Sequence, residues 1–229
     1  MKGMTRRQWL LRTSAGAAAL AGGMAMLREA LATEAVRKGV ARVRGEARIG
    51  AEPARPGIEV KPGDVVTTGP RSELVFVVGR DAFMARAGSR IELTGAVTQA
   101  AISGLRVVTG GLLSVFESGK PRRIQTATAA IGIRGTGIYV EVEKMRTYAC
   151  TCYGEAELVP VDEPKEAEVV RTRHHDQPRY IHAKGMPRMI EEAPVINHTD
   201  AELILLESLV GRKVPFDPKS YRPMGMSSY

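Results

Sequence analysis

Residues 122–154 read RRIQTATAAIGIRGTGIYVEVEKMRTYACTCYG, and strand-forming runs there alternate with small residues on either side of a turn. Ile138, Val140 and Val142 fall on one face of an extended segment, with Tyr139, Glu141 and Glu143 on the other, the period-2 pattern of a half-buried strand. Lys144 and Met145 make a turn, and Thr147 to Cys152 alternates again, placing Tyr148, Cys150 and Cys152 on one side. The two segments are expected to pair as a hairpin. Just upstream, Arg134-Gly135-Thr136-Gly137 interrupts an apolar run with two glycines, which predicts a bulge or tight corner.

The run TATAAIGIRGTGIYVEV, followed by YGEAELV, resembles the signature of the FecR domain, the periplasmic part of ferric-citrate-type sensor and anti-sigma regulators. Upstream, VKPGDVVTTGPRS at residues 60–72 is similar to that family's L-x-x-G-D-x-V-x-T-G-x-x-S opening. The resemblance spans residues 40–160 and implies a non-enzymatic β-solenoid-like stack that binds a partner or envelope component in sensing, signalling or assembly. Its motif residues here are Gly63, Asp64, Thr68, Gly69, Arg134, Gly135, Thr136 and Gly154. Full-length regulators of the family place a cytoplasmic anti-sigma segment and a spanning helix before this domain. Only a signal peptide is read ahead of it here, so sigma-factor regulation is not expected within this chain.

That signal occupies residues 1–32. TRRQWLL resembles a twin-arginine box, an apolar stretch runs from Ala15 to Leu27, and Ala30-Leu31-Ala32 is a small-x-small cleavage site. The stretch is short and Gly-rich for a spanning helix, so a periplasmic protein cleaved after Ala32, with no membrane span in its mature form, is expected. Cleavage removes Lys2, Arg6, Arg7, Arg12 and Arg28 against Glu29, lowering the formal charge from +8 to +4. Nucleic-acid binding wants a concentrated basic stripe and aromatic platforms; this charge is mild and aromatics are only 5% of the chain, so that class is set aside.

Working outward, residues 33–57 read as a lead-in with one short strand around Ala41 to Ile49, and residues 58–161 as the β domain. Turn signals at Pro62-Gly63, Gly69-Pro70, Gly79-Arg80-Asp81 and Gly88 separate short strands there. Thr94 to Ser103 reads as a loop or a brief strand, and Thr109-Gly110-Gly111 as a turn between two paired strands. About ten short strands at regular spacing predict an all-β domain, a FecR-like solenoid or sandwich. Within a His- and Pro-rich extension at 162–198, Ala167 to Thr172 is expected to return to the sheet, while 173–198 wanders over the surface. Thr199 to Glu202 is a capping box opening one C-terminal amphipathic helix over 199–212. Leu203, Leu206, Leu209 and Val210 are its apolar stripe, expected to dock on the β body. A tail follows at 213–229.

Both cysteines and all four histidines fall between Cys150 and His198. Two thiols pointing the same way from one strand would form a strained bridge, but two thiolates can supply half of a metal site. His174, His175 and His198 could complete it if the following segment folds back, and sulfur with imidazole suits Zn or Cu. The alternative is that the cysteines are small core hydrophobes and the histidines are loop residues. The ferric-citrate regulators lack this Cys-x-Cys pair. No HExxH, Walker or dinucleotide motif and no nucleophile elbow is present, so no enzyme is expected. Arg134 reads either as a partner contact or as a tie to a turn carbonyl.

Overall fold

The computed structural model describes residues 38–96 and 101–217. The signal peptide, its cleavage site and the tail beyond residue 217 lie outside the described residues, and Thr136 is described only in its backbone. The fold is mostly β-sheet with one C-terminal helix. Among the described residues, fourteen strands join one sheet: β1 Gly39–Arg44, β2 Ala47–Ile49, β3 Glu52–Pro53, β4 Val65–Thr68, β5 Glu73–Val78, β6 Asp81–Ala85, β7 Arg90–Ala96, β8 Ala101–Val115, β9 Pro121–Gln125, β10 Ala129–Val142, β11 Arg146–Pro160, β12 Glu168–Thr172, β13 Arg179–His182 and β14 Ile190–Glu192.

Three long strands organise the body. The first part of β8 pairs with β7 and, in parallel, with β9; its last residues pair with β6 and β10. Likewise β10 pairs with β9 through residues 130–134 and with β8 through residues 137–142. The ladders β8–β9, β9–β10 and β10–β8 therefore form a closed circuit and give a barrel-like core. Inside it lie Phe76, Phe83, Leu112, Ile124, Ile131, Ile138 and Val140, all at 0% exposure.

The 138–152 hairpin forms as expected. Tyr139 faces Cys150 and Val142 faces Thr147 across the ladder, with register breaks between Arg134, Gly137 and Ile138 at the predicted bulge. Both faces of the hairpin are buried, however. Ile138 and Val140 face the central core, while Tyr139, Tyr148, Cys150 and Cys152 join a second cluster with Val75, Val77, Met84, Leu113 and Val115. What covers this second face is the helix α1, Asp200–Leu209, which lies over β6 and β8. Thr199 caps it and Glu202 closes the box reciprocally. Leu203 and Leu206 are fully buried, each contributing about 1.5–3 kcal/mol of transfer free energy.

Two expectations need correction. Thr109-Gly110-Gly111 is not a turn, because β8 runs through it. The strand bends there: Gly110 sits at φ +75°, and a Cβ on it would lie 2.6 Å from Ser89 Cα. A glycine pair that lets one strand leave one ladder for another carries the same composition as a hairpin turn. Residues 173–198 do not merely wander: β13 pairs with β11 and β14 with β13. Both strands are too short for alternation to show.

The bend yields a prediction. Gly88 also has positive φ (+67°), but a Cβ added to it would meet nothing within 4 Å. Gly88→Ala carries only backbone strain, roughly 1 kcal/mol, whereas Gly110→Ala adds a collision with backbone and is expected to cost about 3 kcal/mol. Urea midpoints that fall equally for the two variants would show that close packing does not fix the glycine at 110.

Candidate functional site

Cys150 and Cys152 reach the second cluster because strand alternation puts them on one face of β11, and both are free thiols at 0% exposure. His175 arrives from the turn after β12, where it has φ +54° and its backbone N–H donates to the Cys152 carbonyl at 2.9 Å. His198 arrives one residue ahead of the cap of α1, stacked on Tyr139 with ring centroids 4.9 Å apart. One donor atom from each of Cys150, Cys152, His175 and His198 lies within 4.8 Å of the other three, and all four residues are buried. This is a buried Cys₂His₂ cluster able to coordinate a metal ion.

Hydrogen bonds fix the rings. His198 Nδ1 lies 2.6 Å from the Ile196 carbonyl oxygen, and His175 Nε2 lies 3.1 Å from Asp200 Oδ1. His175 Nδ1 lies 3.5 Å from Cys150 Sγ and 2.9 Å from His198 Nε2. Burial works against ionising Cys150, but hydrogen bonds from Cys152, His175 and His198 outweigh it and hold the thiol well below its ordinary range. Burial and the neighbouring Cys150 push Cys152 well above its own. His175 is depressed by burial and raised more strongly by Cys150 and Asp200, ending above the usual imidazole range.

Of the five residues singled out in the sequence, four converge and His174 does not. Its Nε2 bonds Asp200 Oδ1 at 2.8 Å, and its ring stacks on Phe216 at 4.0 Å between centroids. The fourth histidine, His182, pairs with Glu191 at 3.1 Å on β13. Asp200, which anchors two histidines, is not singled out by the sequence; its only signal is its place in the first helical turn. Cys150, His175 and Asp200 follow one another as a nucleophile, base and orienting carboxylate would. The thiol, at 0% exposure, is wholly enclosed by the described residues.

Most of the residues that carry the resemblance shape turns. Asp64 Oδ2 accepts from the Lys61 N–H at 2.9 Å, and Gly63, at φ +94°, donates its N–H to the Leu93 carbonyl at 2.9 Å. Thr68 Oγ1 accepts from the Ser89 N–H at 2.9 Å and donates to the Arg86 carbonyl, while Gly69 donates to the Glu46 carbonyl at 2.8 Å. Gly135 and Gly154 hold φ +60° and +93°. Arg134 is 81% exposed, 4.0 Å from Glu155, and ties no turn carbonyl among the described contacts.

No family model matches the chain, and no curated protein matches it. Among solved structures, two crystal structures of a protein from Parabacteroides distasonis ATCC 8503, described as a "putative anti-sigma factor", are similar to it. At 1.65 Å resolution the identity is 12% and the TM-score 0.45; at 2.50 Å they are 13% and 0.46. In both, the similarity covers 56% of this chain and 58% of the other, so this chain spans rather more than half the length of that protein. No helix among the described residues is long and apolar enough to cross a membrane.

Proposed function

We propose that the chain is an exported, non-enzymatic FecR-like module that binds an acidic surface of an envelope protein or component through a face of its sheet that no element among the described residues covers. In this reading the barrel-like body is the wound β stack of the FecR type, extended by β13, β14 and α1. The observation that carries it is an asymmetry between two outer faces. One is covered by the chain's own helix. On the other, alternation with the core residues Ile124, Ile133, Ala156 and Val170 turns Arg123, Arg134, Arg171, Glu155 and Glu157 outward. These residues line a groove of about 530 Å³. Glu155 is shared by Arg171 at 2.7 Å and Arg134 at 4.0 Å, which leaves the arginines in excess and favours an acidic partner.

Pull-down from an envelope fraction with the Arg123→Glu, Arg134→Glu variant is expected to lose a partner that wild type retains at low salt. An identical set of captured proteins would remove this face from consideration. The export half is tested separately: protein released by osmotic shock is expected to begin at Thr33, and full-length protein confined to the cytosol would overturn it.

A further inference from the structure

The Cys₂His₂ residues are not among those lining the groove, and their geometry calls for an occupant. The Ile196 carbonyl can only accept a hydrogen bond, so the proton on His198 is at Nδ1. The Asp200 carboxylate accepts as well, so the proton on His175 is at Nε2. The remaining ring nitrogens, His175 Nδ1 and His198 Nε2, then present lone pairs to each other across 2.9 Å. Such a contact repels unless a cation lies against both.

A shared proton answers this only in part. It bridges the two nitrogens and leaves a buried thiolate at Cys150, while Cys152 keeps its proton with its sulfur 3.5 Å from the Cys150 carbonyl. A metal ion satisfies all four donors at once. With Zn–S near 2.3 Å and Zn–N near 2.0–2.1 Å, the edges of a tetrahedron are about 3.3–3.8 Å. The 3.5 Å separation of Cys150 Sγ and His175 Nδ1 falls among these, and the 2.9 Å between the two ring nitrogens is about 0.4 Å shorter than the N–N edge, so the rings part slightly around an ion. The outer contacts are those of ligating histidines, with one ring N–H on a carboxylate and the other on a backbone carbonyl.

We propose that Cys150, Cys152, His175 and His198 form a closed structural site for a divalent ion of the zinc class, with Asp200 as the carboxylate that orients His175. Four protein donors leave no position for substrate or water, which makes the site structural rather than catalytic. Its ligands come from β11, from the turn after β12 and from the approach to α1. The ion therefore staples the C-terminal layer to the sheet at three separate points of the chain, where a disulfide between the two cysteines would tie β11 only to itself.

The test uses the full chain purified without a polyhistidine tag, with zinc measured by mass spectrometry and Co²⁺ as the optical probe. One zinc per chain is expected, together with the sulfur-to-cobalt charge-transfer and tetrahedral d–d bands on exchange for Co²⁺. Cys150→Ser with Cys152→Ser is expected to lose both. Should that variant fail to fold, two folded variants decide the matter. Asp200→Asn is expected to weaken zinc affinity 10–100-fold, while His174→Ala, one residue from a ligand but outside the set, leaves stoichiometry and cobalt bands unchanged. The proposal is overturned if the folded wild type binds neither ion when zinc or Co²⁺ is added in excess. It is equally overturned if the cobalt bands persist without the cysteines, or depend on His174 and not on His175.

Discussion

Replacing Arg86 by alanine is expected to loosen α1 from the sheet and to lower stability by about 3–5 kcal/mol, the cost of removing one partner of a largely buried ion pair. Arg86 leaves the end of β6 and meets Glu202 with both ends of its guanidinium, Nη1 to Oε1 and Nη2 to Oε2, each at 2.8 Å. It also reaches Glu73 at 3.1 Å and the Asn197 carbonyl at 2.8 Å. Its side chain is only 20% exposed. Without it, Glu202 loses its cation, and Glu73 beside it keeps only the exposed Arg42 at 2.7 Å. Glu202 also accepts from the Thr199 N–H at 2.9 Å, so the same carboxylate caps the helix and docks it. Hydrogen exchange over 200–209 is expected to speed up more than exchange in β10. A cycle with Glu202→Gln measures the coupling; strictly additive effects would mean that the fork contributes nothing.

The same clamp sets an acid dependence. Burial opposes ionisation of Glu202, but Arg86 prevails and holds the carboxyl below its ordinary range. A depressed acid contributes stability that is present above its unfolded pKa and is lost as pH falls through the folded one. Helix protection is therefore expected to hold near pH 5 and to decline below the usual glutamate value of about 4.3. In Arg86→Ala the depression is removed and burial acts against ionisation, so the acid decline is expected to shrink or vanish. Asn197 and Glu202 bind Arg86, while His198 is one of the four cluster residues and Asp200 bonds its His175, so the start of α1 has two attachments. If the ion proposed for the cluster is bound, chelation alone is expected to leave the helix docked on its buried leucines, and chelation in Arg86→Ala to release it.

How much of this is legible in the sequence follows from the range of each interaction. The 138–152 hairpin and the capping box are readable because period-2 alternation and a four-residue cap are local signals. The gathering of Cys150, Cys152, His175 and His198 is readable only as a clustering of rare residue types. That His175 enters and His174 does not depends on a positive φ at residue 175, which no pattern announces. Gly110 illustrates the opposite difficulty, since the same residues serve a hairpin turn and a strand crossing between ladders, and only the partners of β8 distinguish them. The cover over the Cys150 face is a contact between residues more than fifty positions apart. It makes a strand that reads as half-exposed into one buried on both sides.

Asp81 reads as part of a turn in the sequence, and its position at the start of β6 conceals a second buried charge. Its carboxylate, 1% exposed, accepts from Arg122 Nε at 3.0 Å and from the Glu117 N–H at 2.7 Å. Arg122 lies on β9, so this pair ties the β5–β6 hairpin to the strand that closes the circuit through β8 and β10. Asp81→Ala leaves a guanidinium that is 8% exposed without its anion and a backbone N–H without an acceptor. About 3–5 kcal/mol should be lost, read as a lower urea midpoint at unchanged slope. The pair itself need not be stabilising, because desolvating two charges consumes most of their attraction. Replacing both together, Asp81→Leu with Arg122→Met, is therefore expected to recover most of the loss while leaving only the Glu117 N–H to be satisfied. If the double variant is as unstable as the sum of the two single ones, the charges are not acting as a pair. The closure of the barrel-like core would then have to be attributed to the apolar residues of β9 and β10 alone.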